Sequence, residues 1–213
     1  MKILARQLST FIVLLFLLSC NAKEEKKDPT DKKEQAEDVP HPITPETENA
    51  YAPVDASPMD MSYYPVDYPK LKTGNDNISL PVMRVIYSRP QLKGRKLFPD
   101  VLKYGEPWRL GANESTEIQF YRDVTIQNKQ IKAGRYILYC IPEPDKWSIV
   151  LNSNIDSWGL RQDTTKDIQR FEIPVTHHNR VLEYLTLVFE KTNTGANLII
   201  GWDEELAKLP INF

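Results

Sequence analysis

The densest group of polar and aromatic side chains lies between Trp108 and Glu114, in the order Trp-Arg-Leu-Gly-Ala-Asn-Glu. Arg109 carries a planar guanidinium whose N–H groups suit a carboxylate, a phosphate or sugar hydroxyls. Asn113 offers a donor and an acceptor, and Glu114 offers an acceptor or a general base. Trp108 can stack on a sugar face or an apolar ligand. These residue types predict a ligand site, or part of a hydrolytic site, in this segment.

Two other parts of the chain contribute candidate binding residues. Arg89, Lys93 and Arg95 lie in a segment interrupted by proline and glycine, and binding residues tend to collect in such loops. Trp158 offers a second aromatic face. The full set of candidate ligand-binding residues is Arg89, Lys93, Arg95, Trp108, Arg109, Asn113, Glu114 and Trp158. The ligand is a small molecule, a glycan or a protein whose identity the sequence leaves open.

The same segment has a purely structural interpretation. Arg109 can form an internal ion pair with Glu114 that fixes a loop, Asn113 can hold a turn, and Trp108 can fill the core. Sequences rich in Gly, Asn and Arg often build loops in this way. Both interpretations remain open at this level.

Several kinds of chemistry have no motif in the sequence. It contains no phosphate-binding glycine loop, HExxH, paired CxxC or nucleophile elbow, and we predict no cofactor and no metal. His177 and His178 are adjacent, so their side chains point apart in an extended segment, and we interpret them as turn residues. A formal net charge of -2 with mixed signs argues against nucleic-acid binding.

Residues 1–19 have the pattern of an export signal. Lys2 and Arg6 precede an unbroken apolar run over residues 11–18, far shorter than the roughly 20 apolar residues that span a bilayer. The run ends in Leu-Leu-Ser-Cys at Cys20, which resembles the lipobox of bacterial lipoproteins. The resemblance implies cleavage before Cys20, a diacylglycerol thioether and an acylated amino terminus. The alternative is a buried amphipathic helix that ends in cysteine.

Residues 20–56 are polar and charge-mixed, which predicts a disordered tether behind the lipidated cysteine. Residues 23–28, Lys-Glu-Glu-Lys-Lys-Asp, look like the cluster found in surface-exposed lipoproteins of Bacteroidota, or they are a plain solvated linker. We therefore expect a cell-envelope protein anchored in the outer membrane by lipid on Cys20, on the periplasmic face or the cell surface. Cys140 then has no partner in the chain and is predicted to be a buried, inert thiol.

Residues 57–213 are predicted to form one all-β domain, an antiparallel, jelly-roll-like β-sandwich of about eight to nine strands. Short apolar runs alternate with turn residues, and no long stretch has helical periodicity. Residues 57–75 are predicted to be an extended lead-in that lies on the domain, and Asn128-Lys129 is predicted to be a tight turn. The predicted strands include 82–87, 117–122, 136–141, 147–151, 171–175, 184–189 and 198–202.

From Tyr87 to Trp158 the chain resembles the bacterial domain-of-unknown-function family numbered 2911. The resemblance implies a β-rich secreted domain and no established activity. The segment after Trp158-Gly159 departs from the family pattern, because Leu-Arg-Gln-Asp stands where a tyrosine-containing segment is common. The matching pieces are Tyr87-Ser88-Arg89-Pro90, Lys93-Gly94-Arg95, Tyr104-Gly105, Trp108-Arg109, Gly111-Ala112-Asn113-Glu114, Asp123-Val124-Thr125-Ile126, Ala133-Gly134, Ile141-Pro142, Trp147, Leu151-Asn152 and Trp158-Gly159.

Three functional hypotheses follow. The sequence favours a lipid-anchored binding or interaction module. The second hypothesis is a hydrolase-type enzyme with Glu114 as base and Arg109 as electrostatic stabiliser, and the third is a purely structural envelope protein. The first two require Arg109, Asn113 and Glu114 to converge on a cleft. The third requires these groups to be buried and paired with one another.

Overall fold

Segments in which apolar and polar residues alternate form strands, because alternation places the apolar side chains on one face of the pleat. In β3 (Thr116–Phe120), Ile118 and Phe120 are buried, whereas Glu117 and Gln119 are only partly covered. The all-β prediction is confirmed. The described part of the chain contains nine strands: β1 (Met59–Tyr64), β2 (Met83–Ser88), β3, β4 (Val124–Ile126), β5 (Lys129–Ile131), β6 (Gly134–Pro142), β7 (Lys146–Asn152), β8 (Asp167–Lys191) and β9 (Gly195–Asn212).

The computed structural model describes residues 54–213. The predicted signal peptide (1–19), the predicted lipidation site at Cys20 and the predicted tether up to residue 53 lie outside the described residues. Within residues 54–213, no helix combines the length and the apolar character needed to cross a membrane.

The strands pair antiparallel in the order β1-β2-β3-β6-β7-β8-β9-β4-β5. Most neighbours in the sheet are also neighbours in sequence. The exception is the β4–β5 hairpin, which lies beyond β9 at the edge opposite β1. The chain therefore leaves β3, adds this hairpin to the far edge, and returns as β6 beside β3.

The strand β8 connects two layers. Residues 167–174 of β8 pair with β7, whereas residues 175–191 pair with β9. Two layers therefore share this strand. One contains β1, β2, β3, β6 and β7, and the other contains β9, β4 and β5. Apolar side chains from both layers, such as Ile118 and Leu198, belong to one buried cluster. The arrangement is sandwich-like, with a common core between the layers.

Strand β8 continues through the place where the sequence predicts a turn. His177 and His178 both lie in β8, so the prediction that they are turn residues is wrong. The pairing of β8 with β9 shifts between His177 and Leu182 and again between Leu182 and Thr186. Such irregularities accommodate extra residues without reversing the chain. The predicted strands 171–175 and 184–189 are therefore two parts of one strand.

The predicted lead-in contains two regular elements. Strand β1 pairs with β2 along its whole length, from Met59 opposite Ser88 to Tyr64 opposite Met83. It is followed by a short helix, α1 (Tyr68–Gly74), with a proline in its first turn. The prediction of an extended segment holds for β1 and is wrong for α1, because proline suits the first turn of a helix as well as extended chain.

The turn between β4 and β5 lies one residue earlier than predicted. Ile126 pairs with Lys129, so the loop consists of Gln127 and Asn128. Their φ angles are 44° and 63°. Two left-handed residues in a two-residue loop are typical of the type I′ turn, whose twist matches that of the flanking strands.

Cys140 is fully buried in β6 and is a free cysteine, as the sequence predicts. Burial raises the pKa of its thiol well above the ordinary value, because the apolar surroundings disfavour the thiolate. This residue therefore acts as a small core side chain and not as a nucleophile.

The segment after β2 is held against the second half of β8. The Leu185 amide donates to the Pro90 carbonyl over 3.1 Å, and the Leu92 amide donates to the Glu183 carbonyl over 3.0 Å. These backbone bonds fix the loop that carries the predicted basic residues 89–95.

Candidate functional site

Trp108 is a core residue whose backbone is tied to β6. Its amide donates to the Cys140 carbonyl over 2.7 Å, and the Cys140 amide donates back over 2.8 Å. The indole meets Trp147 edge-on, with 5.9 Å between ring centroids, and stacks on Trp202 at 5.8 Å. Only 6% of Trp108 is exposed. Trp108 therefore anchors the loop that follows and offers little aromatic face to a ligand.

The loop after Trp108 needs unusual backbone angles. Leu110 is buried although its φ is 52°, and Asn113 has φ 58°. The Thr116 hydroxyl donates to the Leu110 carbonyl over 2.7 Å and holds this conformation. Gly111 passes so close to β2 that an added Cβ would lie 3.3 Å from the Ser88 carbonyl oxygen. Glycine suits this position because two backbone segments approach closely, and a Cβ would need its neighbours to shift by a few tenths of an ångström.

The Arg109 side chain is half-buried and held by backbone carbonyls. Its Nη1 donates to the carbonyl oxygen of Asn113, and it lies 3.4 Å from that of Trp158. Partial burial lowers the pKa of the guanidinium from its ordinary value. Arginine nevertheless stays charged at neutral pH. Within residues 54–213, no carboxylate forms an ion pair with Arg109.

Within the described residues, Glu114 forms no ion pair with Arg109. It is exposed and lines a separate pocket of about 240 Å³, the Glu114 pocket, together with Ser115, Glu117, Asp156, Ser157 and Trp158. The interpretation of Arg109 and Glu114 as an internal ion pair is therefore wrong. Trp158 lies on the rim of this pocket and is 57% exposed.

Asn113 connects the loop to the start of the described chain. Its side-chain amide donates to the Asp55 carboxylate, which also accepts the Ser57 amide over 2.8 Å. The Gln91 side chain donates to the Ala56 carbonyl over 3.4 Å. Residues 55–57 are thereby fastened beside the loop that carries Arg109.

Two clefts adjoin at Arg109. The larger, which we name the Arg95–Arg109 cleft, has a volume of about 350 Å³. It is lined by Ser57, Pro90, Arg95, Val101, Leu102, Trp108, Arg109, Gly111, Ala112 and Trp202. The smaller, which we name the Leu160 cleft, has a volume of about 270 Å³ and shares Val101, Leu102, Trp108 and Arg109 with it. The Leu160 cleft also has charged residues of both signs, Asp100, Lys103 and Glu106.

Arg95 is brought to the larger cleft by its own loop. Its Nε donates to the Leu92 carbonyl over 2.8 Å and its Nη2 to the Gln91 carbonyl over 2.9 Å. The side chain is exposed. Arg95 and Arg109 thus line the same cleft, although separate loops carry them.

Arg89 and Lys93 are not among the residues that line these clefts. Arg89 forms an ion pair of 3.1 Å with Asp60 of β1, donates to the Leu185 carbonyl over 3.3 Å, and lies 5.5 Å from the Tyr184 ring centroid. It therefore fastens β1 to β8. Lys93 is exposed, and its backbone amide donates to the Glu183 carboxylate over 2.8 Å.

Sequence reasoning missed several residues of the larger cleft. Trp202 comes from β9, and its indole N–H donates to the Glu183 carbonyl over 3.2 Å. Val101 ends a short helical turn at Leu97–Val101, and Leu102 follows it. Nothing in the local pattern of these residues distinguishes them from ordinary core positions. The meeting of β9 with the loop after Trp108 is visible only in the folded chain.

Two buried acidic residues near this region were also missed. The Asp203 carboxylate accepts a hydrogen bond of 2.9 Å from the Leu97 amide. The backbone of Asp203 is left-handed, with φ 55°. Glu205 lies on the same strand, and its Oε2 is 3.2 Å from Nδ1 of His177. Burial raises the pKa of Glu205 from its ordinary value, while the neighbouring charge of His177 opposes that shift. Within the described residues, no group of three or more His, Cys, Asp or Glu side chains can hold a metal ion.

These observations define an all-β domain with a loop-built cleft that carries two arginines. Residues 70–211, well over half of the chain, match the model of the family described as protein of unknown function (DUF2911). The chain belongs to this family, as its motifs predict. Searches of curated proteins and of solved structures gave no significant match.

Proposed function

We propose that the protein is a lipid-anchored binding module of the bacterial cell envelope, and that its ligand enters the Arg95–Arg109 cleft. The observation that carries the proposal is the position of Arg109. Its guanidinium is half-buried, borders two clefts, and has backbone carbonyls but no carboxylate as partners in the described chain. A charge partly removed from water costs free energy unless it is paired. A bound ligand would supply the missing partner.

A ligand of small size suits the dimensions of the cleft. Its volume of about 350 Å³ is near the lower end of the roughly 300–1,000 Å³ that is usual for small-molecule sites. Its walls combine apolar side chains, such as Leu102 and Val101, with the polar side chains of the two arginines. This combination gives affinity through apolar burial and orientation through the arginines.

The hydrolase hypothesis has less support. A general base must lie within hydrogen-bond reach of the group that it activates, with the electrostatic stabiliser on the same substrate. Glu114 and Arg109 line different cavities.

The purely structural hypothesis explains Trp108 and Arg89, but it leaves the charge of Arg109 without an acidic partner.

The envelope part of the proposal is supported by the sequence pattern of residues 1–20, which resembles an export signal that ends at a lipidated cysteine. Several acyl chains on one cysteine give stable anchoring, where a single chain is marginal. Cys20→Ser should abolish incorporation of labelled lipid and move the protein from the membrane fraction to the soluble fraction. The matched control is Cys140→Ser, which should keep the lipid. Mass spectrometry that finds intact Met1 and unmodified Cys20 in cells would contradict this assignment.

The binding part can be tested while the ligand is still unidentified. The full chain is purified from membranes of its own cells in a non-ionic detergent and examined by native mass spectrometry. We expect a population with added small-molecule mass in the natural protein. Ala112→Phe places a ring in the Arg95–Arg109 cleft and should remove that population. Ala133→Phe is the control, because Ala133 is exposed in the turn before β6.

Adducts that persist equally in Ala112→Phe would show that the ligand sits elsewhere. The absence of any adduct from all three proteins would count against a binding module with a retained ligand. Circular dichroism of each variant establishes that its fold is intact before the adducts are compared.

A further inference from the structure

The charged side chains that line the Arg95–Arg109 cleft are all positive, and this narrows the chemical class of its ligand. The residues that line it include two arginines and, among the described residues, no aspartate or glutamate. The adjoining Leu160 cleft has both signs, and the Glu114 pocket is lined by three carboxylates, those of Glu114, Glu117 and Asp156. Of these three cavities, only the Arg95–Arg109 cleft is lined by positive charges without a negative one.

Arg109 retains donors for a ligand. Its Nη1 is engaged by the carbonyls of Asn113 and Trp158, whereas Nε and Nη2 have no hydrogen-bond partner among residues 54–213. Neither atom belongs to the fully buried atoms without partners in that range. Each atom therefore keeps some contact with solvent, and together they form one edge of the planar guanidinium. This edge matches the two oxygens of a carboxylate or a phosphate.

Two other arginines of the described chain have acidic partners. Arg89 pairs with Asp60, and Arg135 pairs with Glu117 over 2.7 Å. Arg109 differs from these because burial of its side chain is not offset by a carboxylate. Unpaired half-buried charge attracts a counter-ion more strongly than solvated charge does, since the surrounding protein screens it less.

We propose that the Arg95–Arg109 cleft binds a small organic anion, with the carboxylate or phosphate group on Arg109 and an apolar body against Leu102 and Val101. Arg95 adds the second positive charge from a separate loop. This inference rests on the proposed binding function and adds the chemical class of the ligand.

The proposal is tested by isothermal titration of the detergent-solubilised full chain with three probes of similar shape. Benzoate and phenyl phosphate each carry an anionic group on a ring, and benzamide is the neutral counterpart of benzoate. We expect one or both anions to bind in the micromolar to millimolar range and benzamide to bind at least tenfold more weakly. The preferred anion identifies whether the natural group is a carboxylate or a phosphate. Added salt should weaken binding of the anions.

Variants connect that binding to the arginines. Loss of a hydrogen bond to a charged group weakens binding by roughly tenfold to a hundredfold, so Arg109→Gln should reduce anion affinity by this factor. Arg109→Lys keeps the charge but loses the planar fork, and its affinity should be intermediate. Arg95→Gln, a change at an exposed side chain, gives a second test if Arg109→Gln unfolds. Arg180→Gln, at an exposed position in β8, should bind like the natural protein.

Three outcomes overturn the inference and are separable from failure of the binding function. If benzamide binds as tightly as benzoate and Ala112→Phe blocks both, the cleft binds ligands but not as anions. If no anion binds, or if Arg109→Gln and Arg95→Gln both leave anion affinity unchanged, the anion class is wrong. The native mass spectra then decide independently whether the cleft holds a ligand at all.

Discussion

The guanidinium of Arg109 donates to the backbone carbonyl of Asn113 and not to the adjacent carboxylate of Glu114. The reason lies in the backbone, because the left-handed conformation of Asn113, with φ 58°, directs its carbonyl toward Arg109. Glu114 then follows on the outer side of the loop, in a different cavity. This arrangement leaves Arg109 bound on one edge and accessible on the other.

Arg109→Ala should destabilise the fold only modestly. The side chain makes backbone hydrogen bonds and no ion pair in the described chain, so we expect a loss of about 1–2 kcal/mol. For a domain of this size that loss lowers Tm by roughly 2–8 °C in thermal unfolding. The double variant with Glu114→Gln should be additive. A much larger drop in Tm would contradict this account if Glu114→Gln lowered Tm by a similar amount and the two effects were not additive. That result would support an internal ion pair between Arg109 and Glu114.

Asn113→Ala should be more destabilising than Asn113→Gly, although alanine is the better strand and helix residue. A left-handed conformation costs a residue with a Cβ about 1–2 kcal/mol, and glycine avoids that cost. Both variants lose the exposed hydrogen bond to Asp55. Urea unfolding gives the difference in free energy. Asn197→Ala is the control. It also removes an exposed side-chain hydrogen bond, to Glu190, but the backbone of Asn197 is not left-handed. Equal stability of Asn113→Ala and Asn113→Gly would refute this account.

Gly159→Ala and Gly94→Ala separate backbone strain from steric contact. Both glycines have φ 77°. A Cβ on Gly159 would clash with the Ser115 hydroxyl and lie 3.2 Å from the Arg109 Cβ, whereas a Cβ on Gly94 meets nothing within 4 Å. Gly94→Ala should lose about 1–2 kcal/mol from strain alone, and Gly159→Ala should lose at least about 1 kcal/mol more from overpacking. Thermal unfolding of the two variants side by side measures this difference, and similar losses would contradict it.

Glu205→Gln should stabilise the protein at neutral pH. Burial raises the pKa of Glu205 above 4.5, so the folded chain holds the proton more tightly than the unfolded chain does. The contribution of this group to stability is therefore greatest in acid and falls as pH rises from about 4.5 through the raised pKa. His177 and His178 oppose the upward shift, whereas Asp203 and Glu204 reinforce it.

The measurement is Tm as a function of pH. The gain for Glu205→Gln should be present at neutral pH and vanish near about pH 4, where the natural residue is protonated. Glu204→Gln, at an exposed neighbouring position, should show no comparable pH-dependent gain. A lower Tm for Glu205→Gln at neutral pH would mean that the pair with His177 outweighs the cost of burial.

Local pattern determined much of the fold. Alternation in β3, with Ile118 and Phe120 inward, predicts a strand because the period of a pleated strand is two. The apolar run around Cys140 predicts a buried strand, and the motifs around Trp108 predict the family. These properties depend on residues that are close in sequence, so they can be inferred without the tertiary structure.

The tertiary structure decided what depends on contacts between distant segments. The sequence suggested a turn at His177, but pairing with β9 carries β8 through that point, since a strand irregularity absorbs the extra residues. Trp108 and Trp202 stack across the core although nothing in either local sequence indicates a partner. The same packing brings Arg95 and Arg109 to one cleft and separates Arg109 from Glu114, because loop dihedrals and long-range packing, not sequence spacing, set where a side chain points.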